Sequence, residues 1–435
     1  MVELGLRSYA SWSGYINVFE QSFPQIYRYL TDITLIDDYL ARKLETLEIS
    51  IFGRILEPRL DKKVIEILNK IYEIEAEGVT YIPVSPTSLT TKAFRLAVTM
   101  PRKSLHIDEL GDGTKYAISI LSLCLLLENS ALLIEEIESH QHPEAMERFL
   151  QSLINIAQER NVQLFITTHS LEVIQLLSKL PEEFDIRFFH LVRSSDGTLS
   201  VRRFKAVDVN LLYDLGVDLR KQEAYKKFLV VEGDEDKVFI ESLFQRYGRK
   251  VEEVGYLVKA GGKSQVNQIL AALASTGKEI VIVLDYDKDK KENLINSILD
   301  SLRNRNYRLL ELEKDKIFKI ENTGSLIIIL PTGLPDDDSL KRIGITQHEI
   351  EDYCLKLIEL DYSLKEWAGI TLEELAERAR NAKFEGLNRS KTLLRVLAAI
   401  KGISYEEAIS YIVKNASKDN LEKIIGDIKQ IITLC

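Results

Sequence analysis

The spacing of apolar positions along the chain changes from one stretch to the next. Over LDKKVIEILNKIYEIE (60–75) apolar residues recur at steps of three and four, which predicts an amphipathic helix, and similar helical patterns run through residues 1–100. From about residue 130 short apolar runs alternate with helical patterns: ALLIEE, a helix from Pro143, VQLFITTHS, a helix from Leu171. That alternation predicts parallel α/β structure, in which crossover helices cover both faces of a sheet. The segment IRFFHLVRSSDGTLSVRRF (186–204) holds two strand-like runs around Asp196-Gly197 and predicts a hairpin.

A second α/β texture opens near residue 226. KKFLVVEG predicts a buried strand, DEDKVFIESLFQRYG a helix, EEVGYLVKAGG a strand and turn, SQVNQILAALAST a helix and EIVIVLDYD another buried strand. From about 290 the pattern is mostly helical, with one clear strand in SLIIILP (325–331).

Composition narrows the possibilities. The chain has 435 residues, enough for two or three domains with cores of their own, and an ordinary 45% hydrophobic and 29% charged content. Cys124, Cys354 and Cys435 lie far apart, so neither a zinc site nor a disulfide framework is expected. The opening residues lack the basic start and apolar run of a signal peptide, and no window approaches ~18 uninterrupted apolar residues. A cytoplasmic protein without membrane contact is therefore expected. The net charge of −10 argues against nucleic acid bound over a whole surface, so any phosphate-binding surface must be local. It does not argue against a nuclease, because carboxylates that hold a divalent metal are themselves acidic.

Four signals follow one another in the first α/β stretch. LGDGTKYAI (110–118) places Gly111, Asp112 and Gly113 at a predicted helix N-terminus, where backbone N–H groups and the helix dipole favour an anion. ALLIEEIE ends an apolar strand in Glu135 and Glu136, suited to holding Mg²⁺ and orienting an attacking water. SHQHP (139–143) follows directly. FITTHS then delivers His169 to a strand end, where ligands collect in open α/β sheets.

Together these resemble the ABC-type ATPases of the Rad50, SMC and OLD (overcoming-lysogenisation-defect) kind. The resemblance makes LGDGTK the signature motif, Glu135 and Glu136 the Walker B pair, SHQHP the D-loop and His169 the switch histidine. No stretch matches the Walker A pattern G-x-x-x-x-G-K-[ST]. The Gly262-Lys263-Ser264 triplet has Leu257 at the required first glycine, and it lies far downstream of the Walker B strand, in the wrong domain. ATP binding is thus expected only with a Walker A loop from another chain, or the sequence is a truncation. ATP hydrolysis by this chain alone is not expected.

A second constellation lies in the later stretch. FLVVEGDEDKVFIESLF places Glu232 just past a buried strand and Asp236 one helical turn on. EIVIVLDYD ends another strand in Asp285 and Asp287, whose alternation points both carboxylates the same way. Oxygen-only ligands at neighbouring strand ends suit Mg²⁺ or Mn²⁺, and two such ions steady the attacking and leaving oxygens of a phosphodiester. Glu-Gly after one strand and Asp-x-Asp after a later one resemble the TOPRIM fold of topoisomerases, primases and OLD-family nucleases. The resemblance extends to YLVKAGGKSQV as the glycine turn. It also covers HEIEDYCLK (348–356), on a predicted helix, with Glu349 and Glu351 as candidate ligands and Asp352 as an alternative. Lys391, in NRSKTLL, is the candidate for a basic residue that steadies the transition state.

The order of these motifs, over roughly residues 105–400, is that of OLD-family proteins and their anti-phage defence relatives. It implies an α/β fold with a partial ABC-ATPase-like head followed by a Rossmann-like TOPRIM domain with helical additions. The expected division is a mostly helical remnant or insertion of the head at 1–105, the C-terminal lobe of the head at 106–221 and the nuclease domain at 222–435. The implied function is a metal-dependent DNA endonuclease with Glu232, Asp285, Asp287 and Lys391 as catalytic residues. Glu232, Asp236, Asp285, Asp287, Glu349 and Glu351 would be its metal ligands. DNA, a homo-oligomer or a partner chain carrying the Walker A lobe are the implied partners. The rival reading is a non-catalytic ATPase-like subunit that completes a partner's ATP site or binds DNA without cutting it. A topoisomerase or primase is a weaker rival, since neither a tyrosine-bearing partner domain nor a zinc-finger context is visible.

Overall fold

Val64, Ile65, Leu68 and Ile71 are buried along one side of helix α1 (Asp61–Tyr72), as their three- and four-residue spacing demands. The structure is a computed structural model and describes residues 33–36, 59–83, 94–193, 196–286 and 291–433. It divides into two compact units, Met1–Ile186 and Arg187–Cys435.

In the first unit β1 (Ile33–Ile36), β5 (Ser130–Ile134) and β6 (Val162–Ile166) form a parallel sheet in the order β1-β5-β6. An antiparallel meander joins β2 (Gly78–Pro83), β3 (Phe94–Met100) and β4 (Lys103–His106). Helix α2 (Asp112–Leu126) is apolar nearly all round, and every residue from Tyr116 to Leu125 is buried. Such a helix has no face for water and belongs at the centre of its unit. Helix α3 (Pro143–Glu159) crosses from β5 to β6, with Pro143 at its first position and the His142 ring accepting from the Glu144 N–H. Helix α4 (Leu171–Ser178) follows β6, capped by the Ser170 hydroxyl. Among the described residues of 1–105, only α1 matches the mostly helical expectation; the remaining elements are strands. Runs such as GVTYIP and FRLAVTM are too short, and too mixed in polarity, for a period of two to stand out.

The second unit begins with the expected hairpin, β7 (Arg187–Arg193) and β8 (Leu199–Lys205), followed by α5 (Ala206–Asp214). Its sheet comprises β9 (Lys227–Val231), β10 (Tyr256–Lys259), β11 (Glu279–Asp285), β12 (Leu309–Glu313), β13 (Ile317–Ile320) and β14 (Leu326–Thr332), in the order β10-β9-β11-β14-β13-β12. The first four of that order run parallel, and β13 pairs antiparallel with both β14 and β12. β9 is buried at every position, as befits a parallel strand covered on both faces. Helices α6 (Asp234–Arg246), α7 (Lys263–Leu273) and α8 (Lys291–Arg303) make the crossovers. From β9 the chain steps outward to β10, then returns to the other side of β9 as β11. The carboxyl ends of β9 and β11 therefore flank a topological switch point, the usual place for a ligand crevice in an open sheet.

Only β14 was expected beyond residue 290, so β12 and β13 correct the helical reading there. LLELEKDKIFKI alternates apolar and charged residues on an exposed edge strand, a pattern that imitates a solvated helix. The helices that follow include α9 (Glu351–Leu360), α10 (Tyr362–Ala368), α11 (Leu372–Asn381), α12 (Ser390–Lys401), α13 (Tyr405–Asn415) and α14 (Lys418–Ile424). They share one core with the sheet, in which Phe239, Leu243 and Phe244 of α6 join Leu355, Leu397 and Ile409. Among the described residues no helix is long and apolar enough to cross a membrane.

Candidate functional site

The end of β9 turns sharply because its carbonyls are engaged. The Glu232 carbonyl accepts from the Gly261 and Gly262 N–H groups at 2.8 and 3.2 Å. Gly262 holds φ +130°, a conformation that effectively only glycine adopts, so the predicted glycine turn docks onto the strand that carries Glu232. Asp236 sits in the first turn of α6, where its Oδ2 accepts from the Gly233 N–H at 2.8 Å. Asp285 closes β11. Its Oδ1 accepts from the Thr332 hydroxyl at 2.6 Å and from the Ile350 N–H at 2.8 Å, which links β11 to β14 and to the start of α9.

These groups meet in a cleft of about 110 Å³ lined by Glu232, Gly233, Glu235, Asp236, Asp285, Glu349, Glu351, Arg389 and Lys391. Six of the seven residues expected at this site from the sequence thus stand together: Glu232, Asp236, Asp285, Glu349, Glu351 and Lys391. Asp287, two residues beyond β11, lies outside the described residues. Helix α9 begins only at Glu351, so Glu349 precedes the helix on which it was expected. Asp352 is fully buried away from the cleft lining. It contacts His348 Nδ1 at 2.9 Å and accepts from the Leu334 N–H at 2.8 Å and from the Ser390 hydroxyl, so it anchors α9 to α12 and to the loop after β14.

The electrostatics follow from crowding buried carboxyls. Burial first, then the charges of Glu232 and Glu235, push the Asp236 carboxyl up to about 7. Burial likewise raises Glu351 to about 8, against the lowering effect of the Tyr405 hydroxyl and with Glu349 and Asp236 adding to the rise. Asp285 is held well above the usual carboxylate range by burial and by Asp236, Glu351 and Glu232. Two cations offset part of this. Arg389 Nε donates to Glu349 Oε1 at 2.8 Å, and Lys391 pairs with Glu235, which Arg395 also approaches at 3.5 Å. Burial works against ionisation of Glu235, but the Lys391 hydrogen bond, a backbone hydrogen bond and the charges of Lys391 and Arg395 together outweigh it, and its carboxyl lies below the ordinary value.

Sequence reasoning missed Glu235 and Tyr405, whereas Arg389 and Arg395 belong to the basic series Arg378, Arg380, Arg389, Lys391 and Arg395 that the sequence already offers as local positive charge near the site. Glu235 stands beside residues chosen from the sequence, within DEDK, and a cluster of charge there was the available signal. Tyr405 is distant in sequence and carried no signal.

Hard carboxylate oxygens, raised in pKa first by burial and then by one another's charge, are a donor set that suits a hard divalent cation. Among the described residues, however, no three acidic, histidine or cysteine side chains are placed to hold one ion as they stand.

In the first unit the other motif residues take their places around β5 and β6. Gly111, at φ +86°, caps α2 and is followed by Asp112. Gly113 lies against the SHQHP loop: its carbonyl accepts from Tyr72 Oη at 3.1 Å and Gln141 Nε2 at 2.7 Å, and a Cβ there would stand 2.3 Å from the His140 oxygen. Glu135 and Glu136 follow β5 and are exposed; the Glu135 carbonyl accepts from Tyr116 Oη at 3.0 Å. His169 follows β6, its N–H donating to Glu138 Oε1 at 2.7 Å. Glu138 is a further residue that sequence reasoning passed over. Gly262-Lys263-Ser264 falls in the second unit, at the start of α7.

Comparison with known proteins agrees with an ATPase-like head. Residues 22–175 match the family described as "AAA domain, putative AbiEii toxin, Type IV TA system". Residues 226–431 match a family described as a protein of unknown function, DUF3226. The chain is 29% identical over 99 residues to an ATP/GTP phosphatase of Helicobacter pylori, a match that covers 22% of this chain and 27% of that protein. It is 35% identical over 114 residues to the uncharacterized protein MJECL11 of Methanocaldococcus jannaschii, covering 26% of this chain and 99% of that protein. The chain, an α/β protein with an ATPase-like head, belongs to the family of this Methanocaldococcus jannaschii protein.

Proposed function

We propose that the chain is an OLD-like endonuclease whose second unit hydrolyses phosphodiester bonds of DNA at a TOPRIM-type carboxylate site. The observation that carries this reading is the cleft at the switch point between β9 and β11, where Glu232, Asp236, Asp285, Glu349 and Glu351 share one cavity with Arg389 and Lys391. Glu232, Asp236, Asp285 and Glu351, with Asp287, are the residues that would hold Mg²⁺ or Mn²⁺. A metal held there would supply Lewis acidity toward a phosphoryl oxygen and make water a better nucleophile near neutral pH. The chain's own residues do the rest. Asp285 is fixed by Thr332 and Ile350, so its free oxygen keeps its direction. Lys391, on exchanging Glu235 for a phosphate oxygen, would offset charge that builds in the transition state.

The ATPase-like head is the expected assembly element, through a second copy or a partner chain that supplies the Walker A loop. A role in anti-phage defence or DNA repair fits this architecture. One observation favours a second reading, that of a DNA-binding subunit without cleavage. Ion pairs already engage Glu235 and Glu349, so the cleft is internally compensated as it stands. Metal-dependent nicking of supercoiled plasmid separates the two.

A further inference from the structure

The β7–β8 hairpin presents a face that neither the cleft nor the ATPase-like motifs use. Its register pairs Arg187 with Lys205, Phe189 with Arg203, Leu191 with Val201 and Arg193 with Leu199. Alternation puts these pairs on one side of the ribbon. Phe189 and Val201 are each 56% exposed, and Leu191 and Leu199 each 58%. The opposite side is the anchored one, since Phe204 is 1% exposed there. Residues 187–205 contain four arginines and one lysine against a single aspartate, in a chain whose net charge is −10. On the exposed face there is no acidic residue at all. Arg203 lies over the Phe189 ring, 5.9 Å from its centroid.

We infer that this face of the hairpin is a docking surface for duplex DNA, entered as a ribbon into the major groove. The choice of DNA among polyanions rests on the proposed nuclease function; the polyanion specificity itself rests on the hairpin. A two-stranded ribbon fits a groove of about 12 Å, and apolar side chains at its centre can meet thymine methyl groups. Arg193, on one strand, and Arg203 and Lys205, on the other, are exposed and placed to meet phosphates that line the groove. Two copies of the face would set cation against cation, which disfavours self-pairing. An anionic membrane fits less well, because the hairpin tip is Asp196-Gly197-Thr198, polar and acidic where a membrane anchor would be apolar.

The test is fluorescence anisotropy of the full chain with a short labelled duplex, in EDTA to prevent cleavage, over a range of salt. Arg193→Glu/Arg203→Glu should lower affinity by at least ~10-fold and flatten the dependence of log affinity on log salt by about two, one per phosphate contact. Leu191→Ser/Val201→Ser should weaken binding with the salt slope kept. Both pairs are exposed, and an unchanged unfolding midpoint shows that each variant folds. Wild-type affinity and slope in the charge variant would overturn the inference, as would wild type that binds phosphatidylserine vesicles and not DNA. The nuclease reading fails separately: wild type that binds through the hairpin yet never nicks with metal sinks that reading and leaves the hairpin in place.

Discussion

The Tyr405 hydroxyl bonds to Glu351 Oε1, while the same ring lies 5.9 Å beneath Lys391 Nζ and 5.0 Å beneath the Arg395 guanidinium. One side chain thus orients a candidate metal ligand and supports the two cations that face Glu235. In this account Tyr405 is a positioning residue. Tyr405→Phe keeps the ring and removes the hydroxyl, so it should weaken Mn²⁺ binding by about 10-fold, the low end of what outer partners of metal ligands contribute. Mn²⁺ titration followed by electron paramagnetic resonance reads this directly, and unchanged affinity would assign Tyr405 a packing role alone.

The raised carboxyls carry a pH signature. Asp236 rises to about 7 and Glu351 to about 8 in the folded protein, from ordinary values near 3.8 and 4.5. A group whose pKa is raised by folding stabilises the fold below its unfolded value, and that contribution is lost as pH climbs through the folded value. In EDTA the unfolding midpoint of the second unit should therefore fall as pH rises from about 5 to about 8.5. Added Mn²⁺ should flatten the fall, because a bound cation restores the missing counter-charge. A metal-free midpoint that stays level over this range would contradict the electrostatic picture of the cleft.

Asp361 provides a control far from metal chemistry. Its Oδ1 caps α10 through the Ser363 N–H at 3.1 Å, and its Oδ2 accepts from the Ser417 N–H at 2.8 Å ahead of α14. Burial alone would raise this carboxyl, but the hydrogen bonds hold it well below the ordinary range. Asp361→Ala should cost about 1–2 kcal/mol, typical of a lost helix cap, with Mn²⁺ affinity unchanged. Because this pKa is depressed, the stability it confers should disappear at acid pH, and calorimetry of wild type and variant should converge there.

Gly113 ties helix α2 to the SHQHP loop in the first unit. A Cβ would stand 2.3 Å from the His140 carbonyl, so Gly113→Ala must displace backbone. A loss of about 1–3 kcal/mol is expected, as for other overpacked sites. Thermal unfolding should show the loss while Mn²⁺ binding persists, since the candidate ligands belong to the other unit.

What the sequence conveyed depended on how far apart the interacting residues lie. β9 and β11 were legible because strands buried on both faces read as unbroken apolar runs, and each ended in a carboxylate. Glu232 and Asp285 could be named on that basis. β12 was missed because an exposed edge strand such as LLELE shares its alternation with a charged helix face. The pairing of Lys391 with Glu235 and of Tyr405 with Glu351 joins residues 156 and 54 positions apart, and no local pattern announces such contacts. Asp352 in HEIEDY was the alternative to Glu349 and Glu351 as a ligand, and one step around the helix start places it in the core and not in the cleft.

The most direct test of the account is incubation of the purified chain with supercoiled plasmid and Mn²⁺ or Mg²⁺, without nucleotide, beside Glu232→Ala and Asp285→Ala. Nicked product is expected with wild type, and none with either variant or in EDTA. Intact plasmid with both metals from folded, Mn²⁺-binding protein would contradict the nuclease reading, and cleavage that survives both substitutions would place the chemistry elsewhere.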